Sequence, residues 1–188
     1  MRITLPDPVG FAECFSDVSG TKVNSDIMGI TIDSRDVKPG DLYIALSGQR
    51  TDGHNFIHDV ELEGCSAALV SDVQKEYNTI QQIRVDDPLT TIGQTARLWR
   101  ESINIPVFGI TGTNGKTSTK ELVKHILSKN MNVHATRGNY NTSIGVPLTQ
   151  FTMSSSHEIS ILELGANQKG DIRYCLLYTS PSPRDRGC

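Results

Sequence analysis

Between Met28 and Val85 the chain alternates short β-like runs of apolar and polar residues with turn chemistry. The runs GITI (29–32), DLYIAL (41–46), AALV (67–70) and QIRV (82–85) predict strands, and Pro39-Gly40 and Asp52-Gly53 bracket the second of them. A helix is predicted from about 55 to 63, with Phe56, Val60 and Leu62 on its inner side and Gly64 ending it in a left-handed cap. From 88 to 103 the residues Ile92, Ala96, Trp99 and Ile103 recur at helical spacing, with Pro88 in the first turn, and predict an amphipathic connecting helix. IPVFGIT (105–111) then reads as a buried strand. A Gly-rich loop, TGTNGKTS, follows it, and after the loop a helix with Leu122, Val123, Ile126 and Leu127 turned inward. Further strands at about 133–136 and 159–164 continue a βαβ series.

The fold class is therefore α/β: a small N-terminal α/β domain (1–86), a connecting helix (87–104) and the first part of a P-loop-type parallel α/β domain (105–174). The stretch CLLYTSPSPRD at 175–185 reverse-translates into a transposase adapter used in sequencing libraries. Residues 175–188 are accordingly expected to be a non-native tail, and the native chain is expected to have been cut at about Tyr174. A parallel sheet interrupted there would expose an unpaired edge and favour aggregation.

Composition narrows the function without naming it. Among 188 residues, 18 Lys+Arg stand against 21 Asp+Glu, a net charge of −3, and no basic cluster marks a nucleic-acid or membrane-surface partner. With 37% hydrophobic residues the chain can bury a core, while no apolar run reaches the roughly 18 residues of a membrane span. The N-terminal MRITLPDPVG lacks the order of a signal peptide, so a cytoplasmic location is expected. The four cysteines show no CxxC spacing, which argues against a zinc site or a disulfide framework.

The strongest chemical signal is Gly112, Thr113, Asn114, Gly115, Lys116, Thr117 and Ser118, set between a strand and a helix. Such glycines let backbone N–H groups turn toward a polyphosphate, Lys116 reaches terminal phosphates, and the Thr117 hydroxyl suits Mg²⁺. The first Gly of the GxxxxGK[ST] pattern is replaced by Ile110. From residue type alone, Glu163 at the end of ISILE is either a metal ligand or a solvated strand-end carboxylate, and Asn139, Asn141 and Thr142 suit an ordinary turn. His54 and His58 are four apart but lack a third ligand, so they read as an exposed or capped pair. Lys120, Glu121 and Lys124 read as a solvated helix face.

TGTNGKTS, GNYNTSIGVPLT (138–149), ELGANQKGDI (163–172) and TIDSRDVKPGDLYIALSGQRTDGHNFI (31–57) together resemble the Mur ligase family, whose ATP-dependent enzymes form amide bonds in the cell-wall peptide. The second and third segments are most similar to the branch that adds D-alanyl-D-alanine to UDP-N-acetylmuramoyl-tripeptide. Asn141-Thr142 stands where that branch shows Asn-Asn, and Gln168 where it often has His. The resemblance implies ATP and Mg²⁺ as cofactors, with Lys116 and Asn141 in catalysis and Thr117 and Glu163 on the metal. It implies that Ser34, Arg35, Gln49, Arg50 and Thr51 hold the UDP end of the substrate, and that Asn139, Asn141 and Thr142 face the muramoyl-peptide or the transferred phosphoryl. It further implies a monomer acting on small molecules, with the adenine pocket, a carbamylated lysine and the amine-substrate domain beyond residue 174, so that this chain alone is inactive. The sister ligase adding the third amino acid and a non-catalytic P-loop module are the alternatives.

Overall fold

The computed structural model describes residues 1–23, 26–48, 51–165 and 170–179. They form two compact units, Met1–Thr95 and Ala96–Cys188, and the boundary falls inside a helix.

The first unit is a five-stranded sheet in spatial order β1 (Arg2–Thr4), β2 (Gly29–Thr31), β3 (Asp41–Ile44), β4 (Ala67–Val70) and β5 (Gln81–Arg84). β1 runs antiparallel to β2 and the remaining pairs are parallel. β2 to β5 coincide with the four β-like runs. β1 and α1 (Pro8–Ser19) were not anticipated, although Asp7 accepts from Gly10 N at 3.0 Å, Pro8 opens the helix and Gly20 closes it at φ +67°. Those are ordinary helix signals. What hid them is that only Phe11, Ala12 and Phe15 of α1 are buried, a short stripe for a helix of 12 residues.

One face of the sheet packs Tyr43, Ala45, Ala68 and Val70 against Ile57 and Val60 of α2 (Ile57–Leu62). The helix expected over 55–63 is in fact a 3-10 turn, Gly53–Phe56, followed by α2. Gly64 does end it, at φ +79°. Leu62 is 72% exposed instead of turning inward. Two residues beyond Val60 is about 200° of helical rotation, so both cannot face the sheet.

Arg2 locks β1 to β3. Its guanidinium donates to both oxygens of Asp41, at 2.6 and 2.7 Å, and the Asp41 carboxylate is fully buried. Lys38 N donates to the same carboxylate at 2.9 Å, and pairing with Asp41 raises the Arg2 pKa above its ordinary value.

α3 (Pro88–Ile103) crosses the boundary between the units, with Ile92, Ala96 and Trp99 buried and Ile103 half-buried. Asp87 caps it, accepting from Leu89 N at 3.0 Å and from the Thr90 hydroxyl at 2.6 Å.

The second unit is a parallel sheet ordered β6 (Val107–Ile110), β8 (Ile159–Glu163), β7 (Val133–Ala135), with α4 (Lys116–Leu127), α5 (Gly145–Gln150) and α6 (Asp171–Thr179). β8 is buried throughout, as an inner strand should be. β6, expected to be buried, is an edge strand with Phe108 56% exposed. Leu122 and Ile126 of α4, expected inward, are 61% and 55% exposed. The inward stripe is Lys120, Val123 and Leu127, so Val123 and Leu127 turn inward as expected and the face is rotated by about 60° from the sequence expectation. α6 continues through Cys175, which is buried with Val146, Leu162 and Leu164.

His134 of β7 is buried between α5 and β8. Its Nδ1 lies 2.7 Å from the Ser160 hydroxyl, and its Nε2 lies 3.1 Å from Thr149 O and 2.9 Å from the Thr152 hydroxyl. Burial first, then the neighbouring His157, lowers its pKa from 6.5 to about 4. A folded-state pKa below the unfolded one means the unfolded chain takes up the proton more readily. Stability is therefore intact above pH 6.5 and falls as the pH drops toward 4. About 2 kcal/mol of this loss is expected by pH 5, read as a lower urea midpoint for the second unit. His134→Gln should flatten that pH dependence.

Candidate nucleotide and substrate sites

β6 and β8 end side by side, with Ile110 opposite Glu163 and Leu164 N donating to Ile110 O at 2.8 Å. The loop 111–115 leaves the carboxyl end of β6 and enters α4 through Gly115, whose φ of +77° is a left-handed conformation that a side chain would strain. The first intrahelical bond of α4 is Thr119 N to Gly115 O at 2.9 Å. The N–H groups before it have no helical partner and give the loop the character of an anion site. Residues 111–115 are all exposed, and Lys116 Nζ donates to Gly112 O at 2.7 Å across the loop mouth.

Glu163 is the hub, although it is only 2% exposed. The Thr117 hydroxyl lies 3.0 Å from Oε2 and 3.2 Å from Oε1, and Asn141 Nδ2 donates to Oε1 at 2.8 Å. Thus Lys116, Thr117, Asn141 and Glu163, drawn from three separate motifs, converge at the carboxyl ends of parallel strands, where open α/β sheets place ligands. A Cβ at Gly165 would fall 2.8 Å from Asn141 O, and Gly165 N donates to that oxygen at 2.7 Å. The Gly after Glu163-Leu164 is therefore what lets the Asn141 loop approach the strand end.

Asn139 and Thr142 are placed differently. Asn139 is exposed, and the Thr142 hydroxyl accepts from Gly145 N at 3.2 Å at the start of α5. Gln168 lies outside the described residues.

The donor set fits a hard cation: a carboxylate and a hydroxyl touching each other beside a phosphate-type loop. Among the described residues no group of three or more His, Cys, Asp or Glu is assembled. That composition suits Mg²⁺, which uses few protein ligands and takes the rest from phosphates and water.

Sequence reasoning missed two members of this cluster. Lys120, read as part of a solvated face, is 1% exposed and donates from Nζ to Thr136 O at 2.8 Å. Its methylenes take a core position on α4 while its ammonium meets a carbonyl, which is how a lysine can occupy an apolar stripe. Thr136, 2% exposed, accepts from Glu163 N through its hydroxyl at 2.9 Å. The signal available in the sequence was that the α4 stripe, extended backward from Leu127 and Val123, lands on Lys120.

In the first unit a cleft of about 590 Å³ is lined by Asp33, Ser34, Arg35, Tyr43, Thr51 and Phe56, among others. This is the size of a small-molecule site. It gathers three of the five residues expected to hold the UDP end. The other two, Gln49 and Arg50, lie outside the described residues. Arg35 forms a two-pronged pair with Asp33, at 2.8 and 2.6 Å, which holds the Asp33 carboxyl down at about 2. The Tyr43 hydroxyl donates to Gly53 O at 3.0 Å and so fixes the floor of the cleft, and burial pushes its phenol up to about 12.

His54 is 7% exposed, so of the two histidines only His58 is on the surface. The Nδ1 of His54 lies 2.6 Å from Asp52, and the His54 Nε2 accepts from Ser71 N at 3.0 Å with the Ser71 hydroxyl at 3.2 Å. The order Asp, His, Ser looks like a hydrolytic relay. The acceptor nitrogen is already engaged by a backbone N–H, however, so the histidine serves as a staple between the 3-10 turn and the end of β4.

Two family profiles match the chain. One, described as Mur ligase family, catalytic domain, matches residues 26–100, and the other, Mur ligase middle domain, matches residues 110–181. A UDP-N-acetylmuramoyl-tripeptide--D-alanyl-D-alanine ligase from Synechocystis is 38% identical over 174 residues, 91% of this chain and 38% of the relative. Its counterpart in Bacillus subtilis is 37% identical over 161 residues, 82% of this chain and 35% of the relative. A crystal structure of MurF from Acinetobacter baumannii matches at TM-score 0.84 and 31% identity, covering 95% of this chain and 40% of that one. MurF from Thermotoga maritima in complex with ADP matches at TM-score 0.74 and 32% identity, covering 81% and 35%. The chain thus spans less than two-fifths of the length of these curated relatives.

Proposed function

This chain belongs to the Mur ligase family, and on that premise we propose that it carries the UDP-substrate and phosphate-loop portions of an ATP-dependent ligase joining D-alanyl-D-alanine to UDP-N-acetylmuramoyl-tripeptide. The observation that carries the reading is the contact of Thr117 and Asn141 with Glu163 beyond the Gly115–Lys116 turn. In the reaction a carboxylate oxygen of the tripeptide attacks the γ-phosphorus of ATP and ADP leaves. The dipeptide amine then attacks the acyl carbon of the resulting acyl phosphate, phosphate departs, and the nitrogen loses a proton.

The residues of this chain bind and orient. The loop 112–118 cradles the phosphates, and Lys116 exchanges its Gly112 carbonyl for a phosphoryl oxygen, placing positive charge where negative charge accumulates. Thr117 and Glu163 hold Mg²⁺, which when bound neutralises phosphate charge. Asn141, whose side-chain amide donates to Glu163 and whose carbonyl accepts from Gly165 N, stands beside the transferred group, with Asn139 and Thr142 lining the approach of the muramoyl-peptide. Ser34, Arg35 and Thr51, with Gln49 and Arg50, take the UDP end. The enzyme is read as a cytoplasmic monomer acting on small molecules. No helix among the described residues is long and apolar enough to cross a membrane.

Calorimetric titration of the 188-residue chain tests this reading. UDP-N-acetylmuramoyl-tripeptide is expected to bind, and Arg35→Ala to weaken it by about tenfold, the worth of one charge-assisted contact. Tighter binding of the UDP-muramoyl-dipeptide would identify the sister ligase instead. Binding of ATP with indifference to both sugar nucleotides would leave a plain P-loop module.

A further inference from the structure

We infer that Lys120 is a positioning residue for Glu163: a buried cation that fixes the carboxylate so that its oxygens face Thr117 and Asn141, and so the divalent cation of the nucleotide. The inference rests on the nucleotide reading above. Among the described residues Lys120 is the one lysine buried in the core. Its Nζ lies 2.8 Å from Thr136 O, 3.0 Å from Glu121 Oε1 and 3.9 Å from Glu163 Oε2.

These distances matter together. At 3.9 Å the ammonium is too far to take up a lone pair of Glu163 in a hydrogen bond, yet close enough to hold the charge in place. Its strong bonds go to a backbone carbonyl and to Glu121, whose side chain is 56% exposed. The carboxylate oxygens therefore remain available on the loop side, where the Thr117 hydroxyl and the Asn141 amide meet them. Thr136 completes the clamp, since its carbonyl holds Lys120 while its hydroxyl accepts from Glu163 N. Backbone and side chain of Glu163 are thus held by Thr136 and Lys120, both almost fully buried.

Partners one step behind a metal ligand are typically worth about 10- to 100-fold in metal affinity. The test compares Lys120→Met and Lys120→Arg with the unsubstituted chain, titrating ATP in EDTA and then Mg²⁺ at fixed ATP. In folded Lys120→Met the Mg²⁺ midpoint is expected to rise at least tenfold while ATP affinity in EDTA, governed by Lys116 and the loop, changes less than twofold. Lys120→Arg should restore most of the Mg²⁺ response. An unchanged midpoint, or parallel loss of both affinities, overturns the positioning role and leaves the nucleotide reading intact. ATP binding that ignores Mg²⁺ in the unsubstituted chain overturns both.

Should Lys120→Met fail to fold, the unsubstituted chain decides. With ¹⁵N at lysine Nζ, the buried ammonium should give a slowly exchanging signal that shifts when Mg²⁺ and ATP are added. A signal that stays in place overturns the inference.

Discussion

Lys116→Ala is expected to weaken ATP binding by about 10- to 100-fold, the worth of one charged hydrogen bond to phosphate, while leaving the unfolding midpoint almost unchanged. The asymmetry follows from the position of the side chain. Among the described residues the Lys116 side chain makes one hydrogen bond, to the Gly112 carbonyl of an exposed loop, so its removal leaves none of their buried groups unpaired. Fluorescence titration with a labelled ATP analogue, beside thermal melts of both proteins, checks the two halves of the statement. A large drop in melting temperature with intact binding would show that the lysine holds the fold and not the ligand.

Asp41→Ala is expected to have the opposite profile: a loss of about 3–5 kcal/mol from the first unit, with ATP binding by the second unit untouched. Asp41 is fully buried and accepts from the Arg2 side chain twice and from Lys38 N once. Deleting it strands a guanidinium whose side chain is only 17% exposed, and frees β1, which joins the sheet through just three residue pairs. For a unit of ordinary stability that is a large share of the total. Urea unfolding followed at the first unit should show a lowered midpoint, and a shift under 1 kcal/mol would mean that the pair contributes little beyond its desolvation cost.

Strands β2 to β4 and β8 were legible because each is a mostly apolar run between turn residues, β5 because Ile83 lies in a short β-like run, and the P-loop because its residue types are constrained by phosphate chemistry. β1 escaped because three residues carry no periodicity. The face of α4 was misplaced because the sequence offers four apolar residues, 122, 123, 126 and 127, across about 140° of arc, and only the tertiary contacts choose between them. The choice fell on the side carrying Lys120, which hydrophobicity alone would reject. For the site, Thr117, Asn141 and Glu163 were named from their motifs, but their meeting depends on register. Ile110 must stand opposite Glu163, and the chain at Gly165 must pass within 2.7 Å of Asn141 O. Neither constraint has a local signature.

The order of the second sheet sets a timetable for its assembly. β6 and β7 do not pair with each other, and both hydrogen-bond to β8, which is the last of the three in sequence and central among them. During synthesis the glycine loop, α4 and Asn141 all leave the ribosome before the strand that unites them. The phosphate cradle cannot acquire its carboxylate until residues 159–163 thread between two neighbours that are waiting unpaired. Such late insertion of a middle strand is a step governed by long-range closure. A nascent chain arrested before residue 159 should therefore carry the whole glycine motif and still hold nucleotide poorly, gaining that capacity abruptly once Glu163 has emerged.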